Sequence, residues 1–452
     1  MKKIATHVCS CFFLLMAFGA VNASAQNAEA NGEVFKPHGQ LWGYAFGDFA
    51  YKANSDVVNG GGRGGSNQYT KVPANTNEFQ LRRVYLGYNY EISKKFVAEF
   101  LLAAEDDFAS GSLGQGNGDI LVNNKFAPYL KLANIRWRNI WKNTDLVAGQ
   151  LPTPAFAQGS ALGAYAKNTQ TSEEVWGYRS IERTITDIRR TPSFDMGIAL
   201  QGWFDNKGCF GYDVMVGNGQ SAKPENDAFK WLYADVYAKF FNKRLIVDLY
   251  QDYEKLHWTP AGDALPETKT VTGTTTTYTI PSPTNLHHDR NMSKIFVAWQ
   301  DKKFTVGVEA YMNTLMGDVQ VVGADHNVYY RTSKSFGIST FVKGRIYKDK
   351  LGFFARYDVY DPSRNLSEVT GSANVTSYSA LTSQYEPTTK EQFITFGLDF
   401  TPIKNVHVMP NMWINTYEST LSSSQYALNP NGNGSKGTDV VYRLTFYYIY
   451  GK

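Results

Sequence analysis

Seven short polar breaks, each set between segments that alternate apolar and polar residues, constrain this chain more than any other feature. They are EISKK (91–95), NIWKNT (139–144), DNKG (205–208), FNKR (241–244), DKK (301–303), KDK (348–350) and PIKN (402–405), and every one contains lysine. The flanks read as strand pairs, for instance YLGYNY with FVAEFLL, YADVYAKF with LIVDLYQD, and TFVKGRIY with LGFFARYDV. A side-chain period of two on both sides of a break this short is a β-hairpin.

Between the hairpins lie long stretches rich in Gly, Ser, Thr and Asn, such as ANSDVVNGGGRGGSNQYTKVPANT, TKTVTGTTTTYTIPSPTNLHHD and SSSQYALNPNGNGSKGT. With one before the first short break and one after the last, eight long connections alternate with seven short ones and imply sixteen strands. Strict alternation puts every short turn on one rim, together with both termini. The fold class expected is therefore all-β, a sixteen-stranded antiparallel transmembrane β-barrel with short periplasmic turns and long external loops. The chain shows no fixed repeat length, as a solenoid or propeller requires, and a soluble sandwich gives no reason for long loops at one end only.

The final strand, DVVYRLTFYYIYGK, shows the two faces. Val440, Tyr442, Leu444, Phe446, Tyr448 and Tyr450 fall on one side; Val441, Arg443, Thr445, Tyr447 and Ile449 fall on the other. The first side is apolar throughout and, in a barrel, is covered by lipid. Aromatic residues gather beside the short turns (Tyr90, Phe96, Phe240, Phe241, Trp299, Phe304, Tyr347, Phe353, Phe400), where an interfacial belt would sit. Outer-membrane chains usually close on an aromatic residue read by the barrel-assembly machinery; here Gly451 and Lys452 follow Tyr450 and displace that signal.

The first 25 residues read as a signal peptide: Lys2 and Lys3, the apolar run CFFLLMAFGAV, then Ala23-Ser24-Ala25, with cleavage expected after Ala25. The apolar run is short for a membrane anchor of about 20 residues. Residues 26–37 would form an N-terminal periplasmic segment and residues 38–452 the barrel. Cleavage removes Cys9 and Cys11 and leaves Cys209, so the exported chain has no internal disulfide. It keeps 43 basic against 41 acidic residues, a balance that argues against a nucleic-acid-binding surface. Beyond the leader no run of 18 apolar residues occurs, so any crossing of a membrane is by strands. The expected location is the outer membrane of a Gram-negative bacterium.

The stretch FQLRRVYLGYNYEISKKFVAEFLLAAED (79–106), with paired arginines before an aliphatic-Gly strand and a short turn, resembles the phosphate-selective porin O and P family. LVAGQLPTP (146–154), IERTITDIRR (181–190) and FDMGIALQGWF (194–204) are similar to later motifs of that family, and the likeness thins beyond Phe204. The resemblance implies a homotrimeric porin whose third external loop, about 155–192, folds into the lumen.

Taking the more polar face of each hairpin as interior places Arg83, Arg136, Arg138, Lys239, Lys343, Arg345, Arg356 and Arg443 inside. Glu99, Asp213, Asp235, Asp248, Asp252, Glu309, Asp358 and Asp399 join them. Lipid would penalise such charges by roughly 2–4 kcal/mol at the midplane. A wall charged with both signs suits small hydrophilic solutes, and Arg83, Arg136, Arg138, Arg356, Arg443, Asp358 and Glu99 are its candidate pore-lining residues. The third loop sets Glu173, Glu174, Glu182 and Asp187 beside Arg179, Arg183, Arg189 and Arg190, the composition of a constriction. Arg189-Arg190 and Arg136-x-Arg138 give a lean toward anions such as phosphate, because guanidinium pairs with phosphate oxygens.

A substrate-specific channel for phosphate, polyphosphate or another nutrient is the alternative, and an outer-membrane enzyme a more distant one. His407, in phase with Met409, Asn411 and Trp413, reads as a polar wall residue. His287-His288-Asp289 lacks a third ligand placed by the fold, and GGGRGG (60–65) lacks the Lys-Ser/Thr ending of a phosphate loop. No catalytic residue, metal or cofactor is expected.

Overall fold

The computed structural model describes residues 35–56, 69, 72–105, 121–122, 125–126, 128–156, 170–181, 192–221, 223–225, 228–255, 265–266, 268–272, 275–279, 289–323, 327–362, 364, 375–380, 389–419 and 437–451. The leader, Glu182, Arg183, Asp187, Arg189, Arg190, His287, His288 and the GGGRGG stretch lie outside the described residues.

Sixteen long strands follow one another around a single sheet. They are β1 His38–Asn54, β2 Asn77–Glu91, β3 Phe96–Glu105, β4 Tyr129–Trp141, β5 Thr144–Pro152, β6 Phe194–Trp203, β7 Phe210–Gly217 and β8 Trp231–Phe240. Then come β9 Leu245–Glu254, β10 Arg290–Gln300, β11 Phe304–Gly323, β12 Asn327–Tyr347, β13 Leu351–Asp361, β14 Thr389–Ile403, β15 Val406–Ser419 and β16 Gly437–Tyr450. Each pairs antiparallel with the next. β16 returns to β1 in a register from Gly43↔Tyr450 to Asn54↔Val440. The sheet is thus closed, and closure satisfies the backbone groups that an open edge would leave in lipid.

All seven lysine-containing breaks are the short turns, and local chemistry explains why. In DNKG the Asp205 carboxylate accepts from the backbone N–H of Lys207 (3.0 Å), Cys209 (2.8 Å) and Phe210 (2.9 Å). The hydrogen bond from Phe210, with those from Lys207 and Cys209, holds this carboxyl below the usual aspartate range. In FNKR, Phe241, Asn242 and Lys243 all take positive φ (51–67°), which reverses the chain within the turn.

The two faces separate as the period of two requires. On β16, Tyr442, Phe446 and Tyr448 are about half exposed (52, 46 and 50 %), whereas Val441, Arg443 and Thr445 are buried (2, 4 and 0 %). Trp137, Trp141, Phe204, Phe210, Phe240, Phe241, Phe304, Tyr347, Phe400 and Tyr448 stand exposed at the short-turn end, forming the aromatic belt. The seam is covered by Tyr450, whose ring crosses Gly43 and whose hydroxyl donates to the Tyr85 carbonyl; a Cβ at position 43 would lie 2.4 Å from that ring.

Two features depart from the sequence reading. The sixth long connection is mostly ladder: β11 and β12 run 20 and 21 residues, and only 324–326 link them. The outer ends of these strands also pair with Val375–Ala380 and Leu265–Pro266. Alternation marks a strand but not the height at which lipid ends. The interior, moreover, is not polar throughout. Inward-facing Trp42, Tyr44, Phe46, Tyr85, Leu101 and Leu132 pack with Phe194 into one apolar cluster, and two others occupy the walls against which the third loop rests.

Candidate functional site: the charged lumen and its inner loop

The paired arginines of the RRVYLGYNY stretch both point inward, Arg82 at 1 % exposure and Arg83 at 2 %. Strict alternation would turn one of them to lipid. The register between β1 and β2 shifts at Phe46/Gly47, pairing Phe46 with Arg83 but Gly47 with Leu81, so a bulge inserts Arg82 as an extra residue on the inner side. Arg82 sits 3.4 Å from Asp48, and Arg443 Nη2 donates to the same Asp48 oxygen at 2.7 Å. Arg443 also lies over the Trp413 ring at 4.1 Å. Lys131 pairs with Glu105 (2.6 Å), 3.6 Å from Arg83, and Lys52 pairs with Asp439 (3.0 Å).

This cluster holds the third loop. Its base is closed by Thr153 Oγ1 donating to the Pro192 carbonyl (2.6 Å). Its described centre is a single helical turn, α1 Ser172–Trp176, capped by the Thr171 side chain and ended by Gly177, whose φ of 71° is the left-handed value glycine tolerates. Six wall side chains grip the loop in sequence. Lys294 donates to Ala155 O (3.0 Å), Glu309 accepts from Ser172, and Lys343 donates to Trp176 O (2.9 Å). Asp399 accepts from Tyr178 (3.0 Å), Arg82 donates to Ser180 O (3.0 Å), and Arg443 donates to Ile181 O (3.0 Å). Trp176 is fully buried against Phe341 and Phe354. Since these side chains project from the inner faces of β10, β11, β12, β14, β2 and β16, the described part of the loop lies inside the barrel.

Within the loop, Glu173 is held by Arg179 at 2.7 Å. Burial works against the Arg179 charge, but Glu173, with Tyr44 and Glu174, outweighs it and keeps the guanidinium above its ordinary pKa. Burial, with Asp399 alongside, pushes the Tyr178 phenol well up, so it stays a neutral donor.

The other sequence-derived wall residues scatter along the barrel. Arg356 forks onto Asp358 of its own strand (2.9 and 2.6 Å), Arg136 pairs with Asp145 (3.2 Å), Arg138 reaches Glu91 at 3.4 Å near the short turns, and Glu99 accepts from Asn134 (3.1 Å). Arg345 is exposed at the short-turn rim, paired with Asp349. Sequence reasoning missed Arg82, which only the bulge turns inward. It also missed Lys52, Asp48, Lys131, Glu105 and Lys294, which are in phase with inward neighbours and could have been found by extending the period to the strand ends.

Buried charge of both signs lines the sector from β16 to β5, where Arg443, Lys52, Arg82, Arg83, Lys131 and Arg136 stand among Asp439, Asp48, Glu105 and Asp145, whereas the buried charges on β6 to β9 are all acidic: Asp195, Asp213, Asp235, Asp248, Asp252 and Glu254. The wall arginines meet wall acids directly, Arg82 and Arg443 at Asp48 and Arg83 at Glu105, while the described part of the loop pairs its own Glu173 with Arg179.

Among solved structures the chain is similar to the high-pH structure of Pseudomonas putida OprB, with 8 % identity, a TM-score of 0.52, and 91 % of this chain and 94 % of that one covered. It is also similar to the anion-selective porin from Comamonas acidovorans, with 10 % identity, a TM-score of 0.50, and coverage of 92 % and 100 %. At such identity the likeness shows the barrel fold. No family model matches the chain, and no curated protein matches it in sequence.

Proposed function

We propose that the chain is an outer-membrane porin of a Gram-negative bacterium, a water-filled channel through which small hydrophilic solutes diffuse. The observation that carries this reading is a closed ring of sixteen strands, apolar outward and charged inward, with an inner loop tied across it by Arg82 and Arg443. In this reading the leader is cleaved after Ala25, the assembly machinery inserts the barrel, it works as a homotrimer, and loop three, with Glu173, Glu174 and Arg179, sets the constriction. Passage needs no chemical step, so no residue has a catalytic role.

The lean toward anions such as phosphate rests on Arg136-x-Arg138 and Arg189-Arg190, joined by the buried Arg82, Arg83 and Arg443, and membership of the phosphate-selective O and P family rests on the sequence motifs between Phe79 and Phe204. Against it, sixteen buried carboxylates stand beside eight buried bases among the described residues. A general diffusion channel is therefore the first reading and an anion-binding channel the second. Reversal potentials across a planar bilayer under a salt gradient test both. Currents that scale with salt without saturating support diffusion, block by phosphate at low concentration supports the binding channel, and folded protein that passes no current overturns the proposal.

A further inference from the structure

Below loop three, on the side of the short turns, lies a cavity of about 480 Å³ whose walls differ in charge. One side is rich in cations, Lys302 and Lys303 from the β10–β11 turn and Lys343 and Arg345 from β12, with two acids among them, Asp301 of the same turn and Glu174 of the loop near Lys343. The other, from β14 to β16, presents Asp399, His407 and Tyr447, and Tyr178 of the loop closes the top. Both poles keep binding capacity. Lys343 donates one hydrogen bond to the Trp176 carbonyl, and an ammonium has three to give. Asp399 accepts from Tyr178 on Oδ2 (3.0 Å) and meets His407 Nδ1 (2.8 Å) and the Thr401 hydroxyl (3.5 Å) on Oδ1, and of the roughly four lone pairs of a carboxylate one on Oδ2 remains. His407 stacks on Tyr447 at 5.4 Å, which fixes the imidazole against Asp399 and leaves aromatic faces beside the acid.

The strand order sets the spacing. β12 and β14 are separated by β13 alone, roughly 10 Å at two interstrand steps. The ammonium and carboxylate of an α-amino acid, extended by two charge-assisted hydrogen bonds of about 2.8 Å, span on the order of 8 Å. A bare dianion would meet Asp399, a bare amine would meet two lysines, and a neutral polyol would leave both poles desolvated without a counter-charge.

We infer that this cavity is a binding site for α-amino acids in their zwitterionic form, carboxylate toward Lys303 and Lys343, ammonium toward Asp399, side chain against Tyr178 and Tyr447. The inference rests on the porin reading for its role, as the last station before the periplasm, but occupancy can be measured without any current. Equilibrium dialysis of the folded, detergent-solubilised full barrel against labelled glycine is compared with N-acetylglycine, which is only an anion, and glycinamide, which is only a cation. Glycine is expected to bind at least about tenfold more tightly than either, since each analogue forfeits one charge contact. Lys303→Met, Lys343→Met and Asp399→Asn are each expected to weaken glycine binding by roughly tenfold, with Lys303, on an exposed turn, the variant least able to disturb folding. Equal affinities for the three probes, or no binding, overturn the inference. If glycine binds selectively but the barrel conducts no ions, the site stands and the porin reading falls; if ions flow and glycine does not bind, the reverse holds.

Discussion

Arg443 is where the wall and the inner loop are joined, and Arg443→Met isolates that joint. Methionine keeps the apolar stem under Trp413 but removes contacts to Ile181 O (3.0 Å), Ser180 O (3.3 Å), Asp48 (2.7 Å) and Thr445 (3.4 Å). Truncating one partner of a buried ion pair costs about 3–5 kcal/mol. Asp48 retains Arg82 at 3.4 Å and the Thr445 hydroxyl at 2.5 Å, which argues for the lower end, about 3 kcal/mol. The two loop carbonyls lose a charged donor, worth about 1.5–3 kcal/mol, so loop docking should weaken by about 2 kcal/mol. That is a roughly thirty-fold rise in the undocked fraction. Single-channel recording reads it as added open-channel noise and new conductance sublevels. Arg345→Met is the control: its pair with Asp349 is 64 and 82 % exposed, and such pairs contribute about 0–1 kcal/mol. If Arg443→Met leaves noise, conductance and selectivity unchanged, the loop is not held by this arginine and the joint has been misread.

Other substitutions probe separate links. Leu249→Arg, on the outward face of β9 at 46 % exposure, should destabilise the barrel in lipid by about 2–4 kcal/mol, measured by urea unfolding from vesicles. Gly87→Val would place a Cβ 2.2 Å from the Trp42 ring and break its 3.0 Å hydrogen bond to Asn89, lowering stability by about 1–3 kcal/mol and shifting tryptophan emission. Asp205 has a depressed folded-state pKa, so its stabilisation is present above the unfolded value of about 3.9 and is lost as pH falls through the folded value. Asp205→Asn should therefore destabilise at neutral pH, and the difference from the parent should close in acid; a gap that persists well below pH 3 would refute the turn's electrostatics.

The strands and short turns were legible because lipid outside and water within enforce a period of two over many residues, and turns such as DNKG carry their own hydrogen-bond acceptors. Arg82 was not, because a bulge breaks that period without leaving a mark in the residues around it. The lengths of β11 and β12 were hidden for a related reason: backbone pairing continues past the membrane regardless of side-chain pattern. Glu173 and Glu174 were found by composition alone, but the loop's path was set by wall residues such as Lys294 and Lys343 that meet backbone carbonyls, and carbonyls have no sequence signature.

Spin labels placed one at a time along β16, in a Cys209→Ser background reconstituted in vesicles, test the central claim directly. Collisions with oxygen, which concentrates in lipid, should peak at positions 442, 444, 446 and 448 and fall at 441, 443, 445 and 447, a strict period of two. An accessibility profile without that period, or one in which a water-soluble relaxer reaches 442, 444 and 446 as readily as oxygen does, would show that lipid does not cover the outward faces.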